Sequence, residues 1–493
     1  MTGAASHAAL HAGFRWQLPA TLNVGVEICD RRPRSDAAIL VTDGRVVTRT
    51  VSFGELSDDS NRLANALRGL GVGPGDRVAI VLPQRPETAI AHAAIAKLGA
   101  IAVPLSPLFG PDALEMRLRD ADVRLVLGES EPLERIRALG IDVPLIDVDR
   151  GLERLLAEAT PSFVAVATTP DTPALIVYTS GTTGPPKGAL HGHRALVGHM
   201  PGFELSHDHF PQPGDVMWTP SDWAWMGGLY DVLLPALRHG RPVVAFRGGK
   251  FDPDRAYDLI ARLGVRNVFM PATALRLMRR VDGPAVSLRT LASGGETVGA
   301  ETAAWCEERL GVRLNEFYGQ TEANLLVGNS TAWPARAGSM GLPYPGHDVR
   351  LIDGEVCVRA EGDPVVFLCY WRGDAATEEK IRDGWLHTGD RAEADEDGYL
   401  WFVGRDDDVI TGSGYRIGPG EIEGCLVSHP SVALAAVIGI PDPERGAVVK
   451  AFVVPASALP ATTRWPQSCK GSSASASRPT RCHGWSSSST SCR

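Results

Sequence analysis

The stretch Ala174 to Leu190, ALIVYTSGTTGPPKGAL, decides how the chain is read. Its first half, Ala174 to Tyr178, is a short apolar run rich in β-branched and aromatic residues, bounded by Pro173 and by Thr179 and Ser180, as a buried strand is. The second half breaks that pattern with Gly181, Gly184 and Gly188, the pair Pro185-Pro186, the hydroxyls of Ser180, Thr182 and Thr183, and Lys187. From Ala189 to Met200 the pattern becomes helix-compatible, so the spacing predicts a loop held between a strand and a helix. Glycines let backbone N–H groups crowd round an anion, hydroxyls add donors and a lysine adds full positive charge, a composition that suits phosphate. The Walker ending Gly-Lys-Ser/Thr is absent, because Gly188 follows Lys187.

Outward from this loop the chain alternates between helical and strand periods. Ser52 and Glu55 have the form of a capping box, followed by Leu56, Leu63, Leu67 and Leu70 on one helical face. Val78 to Leu82 reads as strand, Thr88 to Leu98 as helix, Ile101 to Val103 as strand, Asp112 to Ala121 as helix and Val123 to Leu127 as strand. After the loop come a strand over Pro242 to Phe246, a helix over Pro253 to Leu263 and a strand over Asn267 to Met270. Such alternation predicts βαβ units and largely parallel sheets. From about Gly338 short strands with tight turns take over, at Val349 to Ile352, Glu355 to Val358 and Tyr399 to Val403, as in an antiparallel or barrel-like layer.

Composition narrows the function classes. The chain has 493 residues, 44% hydrophobic and 22% charged, with a formal net charge of -9. This is a soluble, multi-domain composition without a basic stripe for nucleic acid. No apolar run approaches the roughly 20 residues of a bilayer span, and the first residues lack a secretory pattern. The eight cysteines form no CxxC and no ligand-like cluster with histidine, so they read as reduced thiols of a cytoplasmic protein. After Pro455 the composition shifts to Ser, Arg, Thr, Cys and Trp, with neither helical nor strand period. We read residues 456–493 as the product of a reading-frame shift in a GC-rich gene, with a disordered basic tail as the alternative.

Tyr178-Thr-Ser-Gly-Thr-Thr-Gly-Pro-Pro-Lys-Gly188 resembles the phosphate loop of the AMP-forming acyl-CoA synthetases, within the adenylate-forming superfamily. Asn315-Glu-Phe-Tyr-Gly-Gln-Thr-Glu322, Trp385-Leu-His-Thr-Gly-Asp390 and Ser413-Gly-Tyr-Arg-Ile-Gly-Pro419 resemble further family segments in the family's order. The resemblance covers about residues 20–455. It implies an α/β fold: a large N-terminal adenylation domain (1–403) of parallel-rich sheets with helices and a small β-barrel-like layer, then a small mobile α+β C-terminal domain (404–455), truncated here.

The resemblance also implies roles. Activation of a carboxylic acid by ATP needs positioning groups, cations and a metal carboxylate, because two anions must meet while pyrophosphate leaves. Thr179, Ser180, Gly181, Thr182, Thr183 and Gly184 would hold phosphates, with Lys187 near the leaving group. Glu322 would bind Mg2+ and Thr321 the α-phosphate, with Tyr318 and Gln320 near the adenine. Gly295, Glu296 and Thr297 would line the adenine. Asp390 and Arg405 would take the ribose and Arg416 a phosphate. Trp225, Met226, Gly227, Gly294 and Gly319 would form the acyl pocket, with core packing an equal reading for Trp223 and Trp225. The small residues, Gly319 above all, predict room for a medium-chain or aromatic acid rather than acetate. For the second half-reaction with coenzyme A, Asp407 would be the hinge and Gly414 would line the pantetheine tunnel. Thr411 stands where many relatives have lysine, and no Lys-Thr-x-x-Gly-Lys-like segment follows Lys450, so the family's adenylation lysine has no counterpart. The expected activity is ATP-dependent acyl-CoA formation from a small-molecule acid, with no nucleic-acid partner, no integral membrane segment, and monomer or homodimer left open. Loading of a carrier protein, or a catalytically impaired nucleotide-binding remnant, are the alternatives.

Overall fold

The computed structural model describes residues 7–179, 185–296, 298–336, 338–405, 409–413, 415–427 and 432–455. Ser180 to Gly184, Thr297, Asp407, Gly414, the Arg416 side chain and the tail lie outside the described residues. The capping box forms as the sequence predicts. Ser52 accepts from the Glu55 amide at 3.1 Å while the Glu55 carboxylate accepts from the Ser52 amide at 2.8 Å, and the helix runs Phe53–Gly69. Leu56, Leu63 and Leu67 are fully buried, whereas Leu70, past the last turn, is exposed. The helix Pro86–Lys97 is buried almost all round, because it lies in the core between neighbouring elements rather than on a surface.

Two large sheets carry the fold. One has seven strands in the spatial order Cys369–Tyr370, Lys187–Gly192, Pro173–Thr179, Ile101–Pro104, Arg77–Val81, Leu125–Gly128 and Leu145–Asp147. Its pairings from Pro173–Thr179 onward are parallel and its other edge is antiparallel. The second has nine strands, with a parallel centre that runs through Thr290–Gly294 and Leu314–Gln320. A five-stranded antiparallel sheet follows, containing Val349–Ile352, Glu355–Arg359, Trp385–Ala394 and Leu400–Arg405. This is the α/β fold with an antiparallel layer that the alternation implied. Residues 409–455 pack a core of their own, with Ile410, Ile422, Leu426 and Val437 buried between the helix Pro419–Val427 and the strands Val432–Asp442 and Gly446–Pro455. Among the described residues those two strands pair only with each other.

One expectation fails at the loop. Residues Lys187–Gly192 form a strand antiparallel to Pro173–Thr179, with Thr179 opposite Lys187, and helix begins only at Ala195. The loop therefore joins two strands of a hairpin. Gly188 is placed by packing: a β-carbon there would sit 2.8 Å from Ile176, and Trp371 donates its amide to the Gly188 carbonyl at 2.7 Å. Tertiary pairing overrides the local pattern.

A buried cation fastens the N-terminal elements. Lys97 is fully buried, and its ammonium donates to Asp30 at 2.7 Å, Asn61 at 2.8 Å and Ser60 at 2.9 Å. Replacing Lys97 with Leu orphans those acceptors, two of them only partly shielded from water. We expect Lys97→Leu to cost about 2 kcal/mol, read as a lower urea midpoint; an unchanged midpoint would show the network to be energetically neutral.

Candidate active site

The sheets meet around one cavity of about 1740 Å³. Its wall contains Thr179, Lys187, Trp225, Met226, Gly227, Gly294, Gly295, Gly319, Gln320, Thr321, Glu322 and Arg405, so most of the described residues singled out in the sequence converge. Tyr318, Glu296 and Asp390 are not on that wall.

Asp390 is the best-defined group. Its carboxylate is almost fully buried, accepts from the Tyr318 hydroxyl at 2.6 Å and the Gln320 amide at 3.2 Å through Oδ2, and pairs with the Arg405 guanidinium at 2.6 Å through Oδ1. The strands Leu314–Gln320 and Leu400–Arg405 supply these partners, and Asp390 lies opposite Arg405 in register. Beside it, the Gly389 amide donates to Glu355 at 2.7 Å, and the other Glu355 oxygen bonds the His387 ring at 2.8 Å. Cys357 reaches the same His387 nitrogen at 3.4 Å, with its thiol pushed up to about 12 by burial. The sequence showed no cysteine and histidine cluster, yet strand pairing sets Cys357 directly opposite His387 and brings Glu355 alongside. The spacing in sequence hid this, because antiparallel register decides which positions meet.

Glu322 and Lys187 are linked through a residue the sequence reading missed. The Tyr370 hydroxyl donates to Glu322 at 2.5 Å, and the Lys187 ammonium sits over the Tyr370 ring, 5.3 Å from its centre. Burial and the Glu322 charge hold the Tyr370 phenol far above its ordinary value, so it stays a donor. No motif marks Tyr370; its two-residue strand, Cys369–Tyr370, reaches the site only by pairing with the strand Lys187–Gly192.

The glycines read from sequence as an acyl pocket are already packed against. A β-carbon at Gly319 would lie 2.5 Å from the Leu325 amide nitrogen, one at Gly294 2.5 Å from the Phe317 ring and one at Gly227 2.9 Å from the Phe269 ring. The glycines therefore do not widen the pocket as read from sequence; they let Asn324, Leu325, Phe317 and Phe269 approach. Phe269 and Phe317 stack, with ring centres 5.4 Å apart and planes 25° from parallel, and both face the cavity. Trp223 is fully buried core, whereas Trp225 is on the wall, edge-on to Phe109 and to Tyr415 of the strand Tyr415–Ile417. The Glu296 side chain, read as lining the adenine, is buried against Thr273 at 3.0 Å and Arg276 at 3.2 Å.

One cavity brings together Lys187, Glu322 and Arg405, with Asp390 paired to Arg405 behind its wall, an arrangement that suits a nucleotide-dependent ligase. The chain belongs to the AMP-binding enzyme family, whose model matches residues 27–371, and the family's C-terminal domain model matches residues 421–480. The second match runs past Pro455, so the likeness extends further than the sequence reading placed it. The chain is 34% identical over 438 residues to an uncharacterized acyl-CoA ligase, YtcI, of Bacillus subtilis, covering 85% of this chain and 82% of that one. It is 33% identical over 472 residues to the acetyl-coenzyme A synthetase of the same organism, covering 88% and 81%. Its fold matches the anthranilate CoA ligase AuaEII in complex with anthranoyl-AMP with a TM-score of 0.73 and 26% identity, over 90% and 89% of the two chains. The protein is thus an AMP-forming acyl-CoA ligase that uses ATP, Mg2+ and coenzyme A. Among the described residues no helix is long and apolar enough to cross a membrane.

Two outcomes follow from this geometry. Tyr370→Phe keeps the ring under Lys187 but removes the hydrogen bond to Glu322; acid-dependent pyrophosphate exchange should fall about 10- to 100-fold, the worth of a hydrogen bond to a charged group. Asp222, on the cavity wall, is raised from 3.8 to about 6 by burial, against hydrogen bonds from Ala224 and Ser106. An acid raised on folding stabilises the fold in its protonated form, fully below pH 3.8, and that contribution is lost as pH rises through about 6. Thermal midpoints measured across this window should fall less steeply in Asp222→Asn than in the parent chain.

Proposed function

We propose that this ligase activates a carboxylic acid larger than acetate, a medium-chain or aromatic acid, and transfers the acyl group to coenzyme A. The stacked Phe269 and Phe317 carry this reading: they give the pocket a flat apolar wall that an acetyl group is too small to cover. The anthranilate ligase among the structural relatives acts on an aromatic acid, in keeping with it. Because a β-carbon at Gly319 meets backbone, Gly319→Trp would test chain strain rather than pocket depth.

Within the reaction we assign Lys187 and the loop from Thr179 to the phosphates, and Asp390 with Arg405 to the ribose. Lys187 offers a full charge to the departing pyrophosphate. Glu322, its carboxylate oriented by Tyr370, would hold Mg2+, which supplies charge neutralisation at the phosphates. Thr321 sits between Gln320 and Glu322 on the wall, within the same turn, and we assign it to the α-phosphate. We assign Arg416 to a phosphate, and Asp407 and Gly414 to hinge and thiol passage. Among the described residues the cysteines form no disulfide, in keeping with a cytoplasmic location.

The test is thioester formation from acetate, hexanoate and benzoate with ATP and coenzyme A. We expect kcat/KM for hexanoate or benzoate to exceed that for acetate by at least tenfold; preference for acetate would overturn the assignment. Glu322→Gln should lower acid-dependent pyrophosphate exchange by roughly 10²- to 10³-fold, while an unaltered rate would remove Glu322 from the metal site. ATP binding without any exchange would favour the impaired-remnant reading, and transfer to a carrier thiol in place of coenzyme A the carrier-loading one.

A further inference from the structure

The acyl pocket contains an acid that none of the steps above uses. Asp231 is 3% exposed, lines the cavity and sits on the π-helical turn Leu229–Leu233, a kind of turn common at functional sites. Its Oδ1 accepts from the Asn324 side-chain amide at 2.6 Å, and among the described residues no second hydrogen bond reaches the carboxyl. A β-carbon at Gly227 would lie 3.8 Å from Oδ2 and 2.9 Å from Phe269, so Oδ2 lies beside the aromatic wall of the pocket. Burying a carboxyl with half its hydrogen-bonding capacity unmet is unfavourable unless something else meets it. An unsubstituted alkyl or aryl group would leave it unmet.

We propose that Asp231, held by Asn324, selects acids that carry a hydroxyl or amino group away from the reacting carboxylate. This rests on the reading of a pocket built for acids larger than acetate. Burial pushes the Asp231 carboxyl well above its ordinary value. A hydroxyl or amino group both donates and accepts, and therefore satisfies Oδ2 whether the proton stays or is lost. The flat faces of Phe269 and Phe317 favour an aromatic frame for that group.

The test is calorimetric binding to the full chain, with a non-hydrolysable ATP analogue present, of acetate, hexanoate, benzoate and the positional hydroxybenzoates and aminobenzoates. Binding needs no turnover. At least one substituted benzoate should bind about 10- to 100-fold tighter than benzoate, since the unsubstituted acid leaves a buried polar group unpaired. Asp231→Leu should bring that ratio to within about twofold of unity, and Asp231→Asn, whose amide still donates and accepts, should retain part of it. Benzoate binding as tightly as every substituted acid, or a ratio that survives Asp231→Leu, overturns this proposal alone. Acetate binding more tightly than all the others overturns the size reading and this proposal with it.

Discussion

The buried charge of Asp390 constrains more of this molecule than any other group. A carboxylate almost out of contact with water must be matched, and its matches come from two sheets: Tyr318 and Gln320 from the large one, Arg405 from the antiparallel layer. Breaking one such pair strands a charge at about 3–5 kcal/mol, whereas an apolar substitute for the whole set is often no worse. The cluster therefore specifies position more than it adds stability. It fixes the junction of the two sheets and holds the end of the strand Leu400–Arg405, and Glu355 repeats the device one residue away by gripping the Gly389 amide.

A second constraint keeps the opposite charges of the cavity at work. Lys187 lies over the face of Tyr370 while Glu322 takes its hydroxyl, so one aromatic side chain holds both. The seven-stranded sheet brings the lysine, the turn after Gln320 brings the glutamate, and the short strand at Cys369–Tyr370 brings the ring between them. Preorganised charges of this kind stabilise a transition state without reorganisation during the reaction.

Much of this was legible in the chain. Motifs carried by contiguous residues, such as Thr179 to Gly188 and Asn315 to Glu322, were found because loop chemistry is local, and Thr179, Lys187, Phe317, Gly319, Gln320, Thr321 and Glu322 line one cavity. The strand and helix periods were sound where each element buries one clear face, as in Pro253–Leu263. Reading failed where packing rather than period decides. Ala189 to Gly192 is strand because it pairs on both sides, and the pocket glycines serve neighbouring rings and backbone rather than open space. Asp231, Asn324 and Tyr370 lie outside every motif, in apolar or irregular sequence, where a single polar residue reads as nothing in particular.

The sequence by itself determined the alternation that makes parallel sheets, a glycine-rich loop of phosphate-binding composition, and the order of acidic, basic and glycine-rich segments along the chain. These follow from residue types within a few positions of one another. The tertiary structure alone decided that Cys357 faces His387, that Tyr370 joins Lys187 to Glu322, and that Asp231 lines the same cavity. Such contacts depend on strand register and sheet packing; for the strand residues Cys357, His387, Lys187 and Tyr370 a one-residue change of register would turn the side chain to the opposite face.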